Sequence, residues 1–128
     1  MLIRDAMSSK VITVSARDSL QDALHLMKDH NIRRMPVLEG DDLVGMIVQN
    51  DIEKALRRPG VIEETPVEWV MARHLKTISP DENVIEAARI LKDQKLSSLP
   101  VLAQGKLVGI ITDADILKVF IEMMERGA

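Results

Sequence analysis

The stretch "LVGMIVQND", residues 43–51, returns as "LVGIITDAD" at residues 107–115. Each copy begins as an apolar run and passes through polar residues to an aspartate. Sliding the sequence against itself by 64 positions aligns residues 7–56 with 71–120 without a gap, and sixteen of the fifty pairs are identical. Many other pairs exchange one hydrophobe for another, such as Val14 with Ile78, Met27 with Leu91 and Met35 with Leu99. A chain written twice in this way implies two halves of one fold.

Working outward from the quoted stretch, each copy is the second arm of a β-hairpin. "MPVLEGDDLVGMIV" and "LPVLAQGKLVGIIT" are apolar runs broken by a short turn that contains glycine. Pro36 and Pro100 have no N–H to give to a ladder, which predicts a place at the start of a strand or on an edge. Upstream lie a short β-branched run, "VITV" or "LKTI", and then a helix. The helix is marked by Leu20, Ala23, Leu24 and Met27, and by Val84, Ala87, Ala88 and Leu91, at i, i+3, i+4 and i+7. Downstream, a second helix is expected to open at Asp51 or Asp115. Each repeat thus reads β-α-β-β-α, a mixed α/β (α+β) unit. About 55 residues in that order leave one face of the sheet uncovered, so the two repeats are expected to pack sheet to sheet about a pseudo-two-fold axis.

The boundaries read as residues 1–58 for the first repeat, 59–70 for a connector and 71–128 for the second. In the connector Pro59-Gly60 stops a helix, while Thr65, Pro66 and Glu68 fit N-cap, N1 and N3 of a short helical turn. Trp69 is expected to pack that turn down beside Val67, Val70 and Met71.

Composition narrows the function. The 128 residues are 46% hydrophobic and 29% charged, as in an ordinary globular protein, and no window approaches the roughly 18 apolar residues of a membrane span. The opening residues lack the apolar core of a signal peptide, so a cytoplasmic protein is expected. Without cysteine there are no disulfides or thiolate metal sites. A net charge of −3, one Trp, one Phe and no Tyr argue against nucleic acid as a partner. His25, His30 and His74 do not share the i, i+4 spacing of helical metal sites, and no catalytic grouping or cofactor motif stands out. Asp41 and Asp42 read as a hairpin turn.

Together, "MPVL" and "LPVL", the two "LVG" strands and the aspartate that follows each resemble the CBS domain, the cystathionine-β-synthase-type repeat that occurs in tandem. The resemblance covers nearly the whole chain and suggests a stand-alone pair. It implies that a Gly-x-x-Thr-x-x-Asp signature, here Gly109, Thr112 and Asp115, binds the ribose and phosphate of an adenosine compound. The chemistry is compatible. A carboxylate in the first turn of a helix can accept from both ribose hydroxyls, and free N–H groups there suit a phosphate. Thr112 and Asp115 fit ordinary helix capping equally well.

The resemblance further implies that the signature of one repeat meets the residues before Pro-Val of the other. A first site, A, would join Thr112, Asp113 and Asp115 to Ile12, Thr13, Ile32, Arg33, Arg34, Met35 and Pro36, the arginines serving phosphate or standing as a solvated pair. A second, B, would join Val48 and Asp51 to Lys76, Thr77, Leu96, Ser97 and Ser98. It lacks the hydroxyl and the arginines, which points to a weaker ligand or one without phosphate. The apolar last helix suggests a homodimer through the repeat helices. The expected function is a non-enzymatic ligand-sensing module for AMP, ADP, ATP, NAD or S-adenosylmethionine, read by an unidentified protein partner. The alternative is a constitutive dimerisation or scaffold module with a degenerate nucleotide site.

Overall fold

A computed structural model describes residues 1–127. In chain order the elements are α1 (Ile3–Ala6), β1 (Val14–Ser15), α2 (Leu20–His30), β2 (Arg34–Glu39), β3 (Asp42–Val48), α3 (Gln49–Ala55), a 3-10 turn (Val67–Trp69), α4 (Val84–Asp93), β4 (Ser98–Ala103), β5 (Lys106–Thr112) and α5 (Asp113–Glu125). They form two compact units: Val11–Leu75, and residues 1–10 together with the chain from Lys76 onward.

In the unit Val11–Leu75 the strands run β1-β2-β3, with β1 parallel and β3 antiparallel to β2. Alternation turns Met35, Val37 and Ile47 inward, and α2 lays Leu20, Ala23 and Met27 over them. A capping box starts α2: the Ser19 hydroxyl accepts from the Asp22 N–H at 3.0 Å, and the Ser19 N–H donates to the Asp22 carboxylate at 3.1 Å. Asn31, at φ 53°, ends it in the left-handed conformation.

The second unit repeats this with β4 antiparallel to β5. Its first strand shrinks to one bridge between Ile78 and Val101. The hairpin turns differ. Gly40 alone carries a positive φ in the first, whereas Gln104 and Gly105 both do in the second, the signature of a type I′ turn.

Pro36 and Pro100 fall at the third residue of β2 and β4 rather than at a strand start. They are tolerated because the short neighbouring strand begins to pair only one residue later, at Val37 and Val101. The second helix of each repeat opens two residues earlier than the aspartates suggest, at Gln49 and Asp113. Val48 and Thr112 are the N-caps, and Asp51 and Asp115 fall at N3.

The compact units do not follow the repeat boundaries expected from the sequence. Residues 71–75 complete the first unit, and residues 1–10 complete the second. In the first, Ala72 and Met46 exchange backbone hydrogen bonds of 2.8 and 3.0 Å, Thr65 O accepts from the N–H of Leu20, and Val67 is fully buried. In the second, Ser8 and Ile110 exchange bonds of 2.9 and 3.0 Å, Met1 O accepts from the N–H of Val84, and Ile3 is fully buried. The 64-residue offset therefore extends to the start of the chain, and each unit wears the same clasp. The clasp follows the last helix of the first unit in sequence but precedes everything else in the second, so the two units are circular permutants.

Glycine makes the clasp fit. A Cβ on Gly45 would lie 2.5 Å from Met71 Sδ and 2.8 Å from the Ala72 carbonyl; on Gly109 it would lie 2.5 Å from Met7 Sδ and 2.9 Å from the Ser8 carbonyl. Connectivity also explains why α3 is short. After Ala55 the chain must return with residues 65–72, and Gly60, at φ 85°, turns it.

Trp69 does not pack down; it is 74% exposed. A 3-10 turn advances three residues per revolution, so buried Val67 and half-buried Val70 share the inner face and Trp69 falls outside it. Thr65 is not the cap of that turn. Pro66 holds the position, and the Thr65 hydroxyl accepts instead from the Ile62 N–H at 3.0 Å.

Candidate functional site

Strand pairing brings the residues before each Pro-Val to the end of the same hairpin. In the unit Val11–Leu75, Arg34 lies opposite Val48, and the Gln49 N–H donates to the Arg33 carbonyl at 2.8 Å. A cleft of about 450 Å³ opens there, lined by Arg33, Arg34, Val48, Gln49, Asn50 and Glu53. Two guanidinium groups and two amides give it the donors an anion needs, and Glu53, accepting from Gln49 Nε2 at 3.0 Å, sets one acid beside them. Asp51 is exposed at the third position of α3, and Val48 provides no side-chain cap.

Gln49, Asn50 and Glu53 were absent from the residues expected at the site. The available signal was the hairpin itself. Once Arg34 is set opposite Val48, the next residue must adjoin Arg33.

Of the other expected residues in this unit, Ile12, Thr13 and Ile32 are half-buried. Met35 and Pro36 are fully buried in the unit's own core. Their side chains cannot reach a ligand without unpacking, so only their backbone could serve one.

The other unit repeats the geometry with different chemistry. Ser98 lies opposite Thr112, and the Asp113 N–H donates to the Ser97 carbonyl at 3.0 Å. Thr112 and Asp115 form a complete capping box. The Thr112 N–H and hydroxyl both donate to Asp115 Oδ2, at 2.9 and 3.1 Å, and the hydroxyl accepts from the Asp115 N–H at 3.2 Å. Among the described residues Oδ1 has no partner, which leaves one carboxylate oxygen for a further donor. Asp113 Oδ1 takes the Ala114 N–H at 2.8 Å. Lys76 and Leu96 are exposed, and Thr77, Ser97 and Ser98 are half-buried.

Each expected site thus draws residues from both units. Within one unit, the structure joins Arg33 and Arg34 to Val48, and Ser97 and Ser98 to Thr112 and Asp113. Among the described residues no group of three His, Asp or Glu side chains could hold a metal, and no helix is long and apolar enough to cross a membrane.

Comparison with known proteins agrees with this architecture. The family model described as CBS domain matches residues 3–58 and again 64–122. A CBS domain-containing protein of Bacillus subtilis, YhcV, is 33% identical over 89% of this chain and 81% of its own length. Other curated relatives, some of them enzymes, are longer, and the matching region is 22% to 42% of their length. Among solved structures, a Vibrio cholerae protein named for acetoin utilization (AcuB) superposes with a TM-score of 0.89 at 32% identity, covering 98% of this chain and 93% of that one. The CBS domain pair of protein MJ0100, in complex with 5′-methylthioadenosine and S-adenosyl-L-methionine, superposes with a TM-score of 0.85 at 31% identity, covering 96% and 98%.

Proposed function

The chain belongs to the CBS domain family, and from that premise we propose that it is a non-enzymatic sensor of an adenosine-containing compound: AMP, ADP, ATP, NAD or S-adenosylmethionine. The observation that carries the reading is the start of α5, where Asp115 uses one oxygen to cap its own helix and keeps the other as an acceptor. A ribose hydroxyl is a fitting donor, each such charge-assisted bond contributing roughly 1.5–3 kcal/mol. Support also comes from likeness to a pair that holds two adenosine compounds.

In this reading site A groups Thr112, Asp113 and Asp115 with Ile12, Thr13, Ile32, Arg33, Arg34 and the backbone of Met35 and Pro36, and the arginines bind phosphate. Site B groups Val48 and Asp51 with Lys76, Thr77, Leu96, Ser97 and Ser98, and takes a weaker or phosphate-free ligand. The protein acts as a homodimer, and a protein partner reads the ligand-bound state. Micromolar affinity, about −8 kcal/mol, suits such a sensor.

A second reading, a constitutive scaffold with a degenerate site, is favoured by one observation: Thr112 and Asp115 already satisfy each other without a ligand. Ligand-dependent melting separates the two. At 100 times Kd a native-state ligand adds about 2.7 kcal/mol of stability. A panel of adenine and guanine nucleotides, NAD and S-adenosylmethionine should raise the melting temperature selectively for adenosine compounds. No shift with any of them would leave the scaffold.

A further inference from the structure

The cleft of the unit Val11–Leu75 has a charge pattern for which a bound anion alone does not account. Of the residues that line it, Arg33 and Arg34 are cationic, Gln49 and Asn50 are amides, Val48 is apolar and Glu53 is an acid. Glu53 is held by a neutral donor, Gln49 Nε2 at 3.0 Å, while the Gln49 N–H donates to the Arg33 carbonyl at 2.8 Å. Among the described residues no ion pair joins Glu53 to Arg33. Both signs of charge therefore face one opening of about 450 Å³, a volume within the range of small-molecule sites.

The second repeat shows that this set does not come with the frame. At the equivalent positions it carries Ser97, Ser98, Thr112, Asp113, Ala114 and Leu117, so both guanidinium groups, both amides and the carboxylate of Glu53 are missing together.

A phosphate suits two arginines but is repelled by a carboxylate beside them, and ribose and purine bring no charge to either. The end of an α-amino acid carries a carboxylate and an ammonium on one carbon and uses both signs at once. Its carboxylate takes guanidinium N–H groups, its ammonium donates to Glu53, and its methylene groups lie along Val48. From this pairing of charges we infer that the cleft binds the zwitterionic end of an α-amino acid. That end belongs either to a free amino acid or to a larger compound that carries one. The second case rests on the sensor reading and chooses within it: of AMP, ADP, ATP, NAD and S-adenosylmethionine, only the last has such an end. Its carboxylate then takes the place given to phosphate beside the arginines.

Calorimetric titration into the full chain tests the site. The probes are S-adenosylmethionine and S-adenosylhomocysteine, which share the amino acid end with and without the sulfonium charge, 5′-methylthioadenosine, which lacks that end, AMP, and L-methionine. The native protein should bind the first two about tenfold or more tightly than 5′-methylthioadenosine. Glu53→Gln, at an exposed position, keeps an acceptor for Gln49 and removes the charge. It should weaken both by about tenfold or more and leave 5′-methylthioadenosine unchanged. Binding of both that is indifferent to Glu53→Gln, or AMP bound more tightly than either, would overturn the amino acid site and leave the sensor standing. Binding of L-methionine alone, lost in Glu53→Gln, would support the site as one for a free amino acid and tell against the adenosine reading. Binding of none of the probes would overturn the site, and the adenosine reading would then stand or fall on the melting panel.

Discussion

Thr112 and Val48 hold the same position in the two repeats, the last strand residue before a helix, yet one locks its helix with three hydrogen bonds and the other caps nothing. The aspartate three residues on is present in both. The difference extends along the helix: α5 runs 13 residues with an apolar outer stripe, whereas α3 stops after 7 and is charged outside. Duplication supplied two copies of one frame. Divergence has put two arginines beside one helix start, and a capped carboxylate with an exposed apolar stripe on the other.

The largest expected effect comes from breaking the feature the units share. Ile3 and Val67 are the fully buried residues of the two clasps. Ile3→Ala should destabilise by about 3 kcal/mol in urea unfolding, within the range for buried aliphatic truncation, and Val67→Ala by somewhat less because fewer atoms are removed. If Ile3→Ala were neutral while Val67→Ala was costly, the equivalence of the clasps would fail.

Next come the glycines beneath them. Gly45→Ala and Gly109→Ala each drive a methyl into methionine sulfur and a backbone carbonyl, and each should cost about 1–3 kcal/mol. Gly45 should be the worse, its Cβ lying 2.8 Å from a carbonyl against 2.9 Å at Gly109, and 2.9 Å from the methionine Cγ against 3.1 Å.

Thr112→Val imposes the first repeat's residue on the second and should lose about 1 kcal/mol with the cap, while Val48→Thr should gain up to about 1 kcal/mol by letting Asp51 complete a box. Thermal unfolding of the two single variants reads both signs. A gain at position 48 with no loss at 112 would mean that the capping box does not stabilise α5. The smallest effect belongs to Trp69→Ala, within about 0.5 kcal/mol, because the ring is mostly solvated.

Much of this was legible in the sequence. Apolar spacing located α2 and α4, and the paired Pro-Val and Leu-Val-Gly runs located the hairpins, because those residues are buried or half-buried in both copies and burial constrains them in parallel. The clasp was hidden. Residues 1–6 and 65–70 share no identity, "MLIRDA" against "TPVEWV", since Ile3 and Val67 are the fully buried pair and the joins to Val84 and Leu20 are backbone hydrogen bonds. The exposure of Trp69 was hidden as well. A helical period and a 3-10 period assign position 69 to different faces, and three residues are too few to tell the periods apart. At the site, the residue types before Pro-Val were legible, but Gln49, Asn50 and Glu53 emerge only once the strand register is fixed.

The central claim is that the open oxygen of Asp115 serves an adenosine ligand, and calorimetric titration of AMP and of S-adenosylmethionine into the native protein, Asp115→Asn and Asp51→Asn tests it most directly. The account predicts micromolar binding of at least one compound to the native chain, weakened about tenfold or more by Asp115→Asn and less by Asp51→Asn. Binding that is indifferent to Asp115→Asn would contradict it.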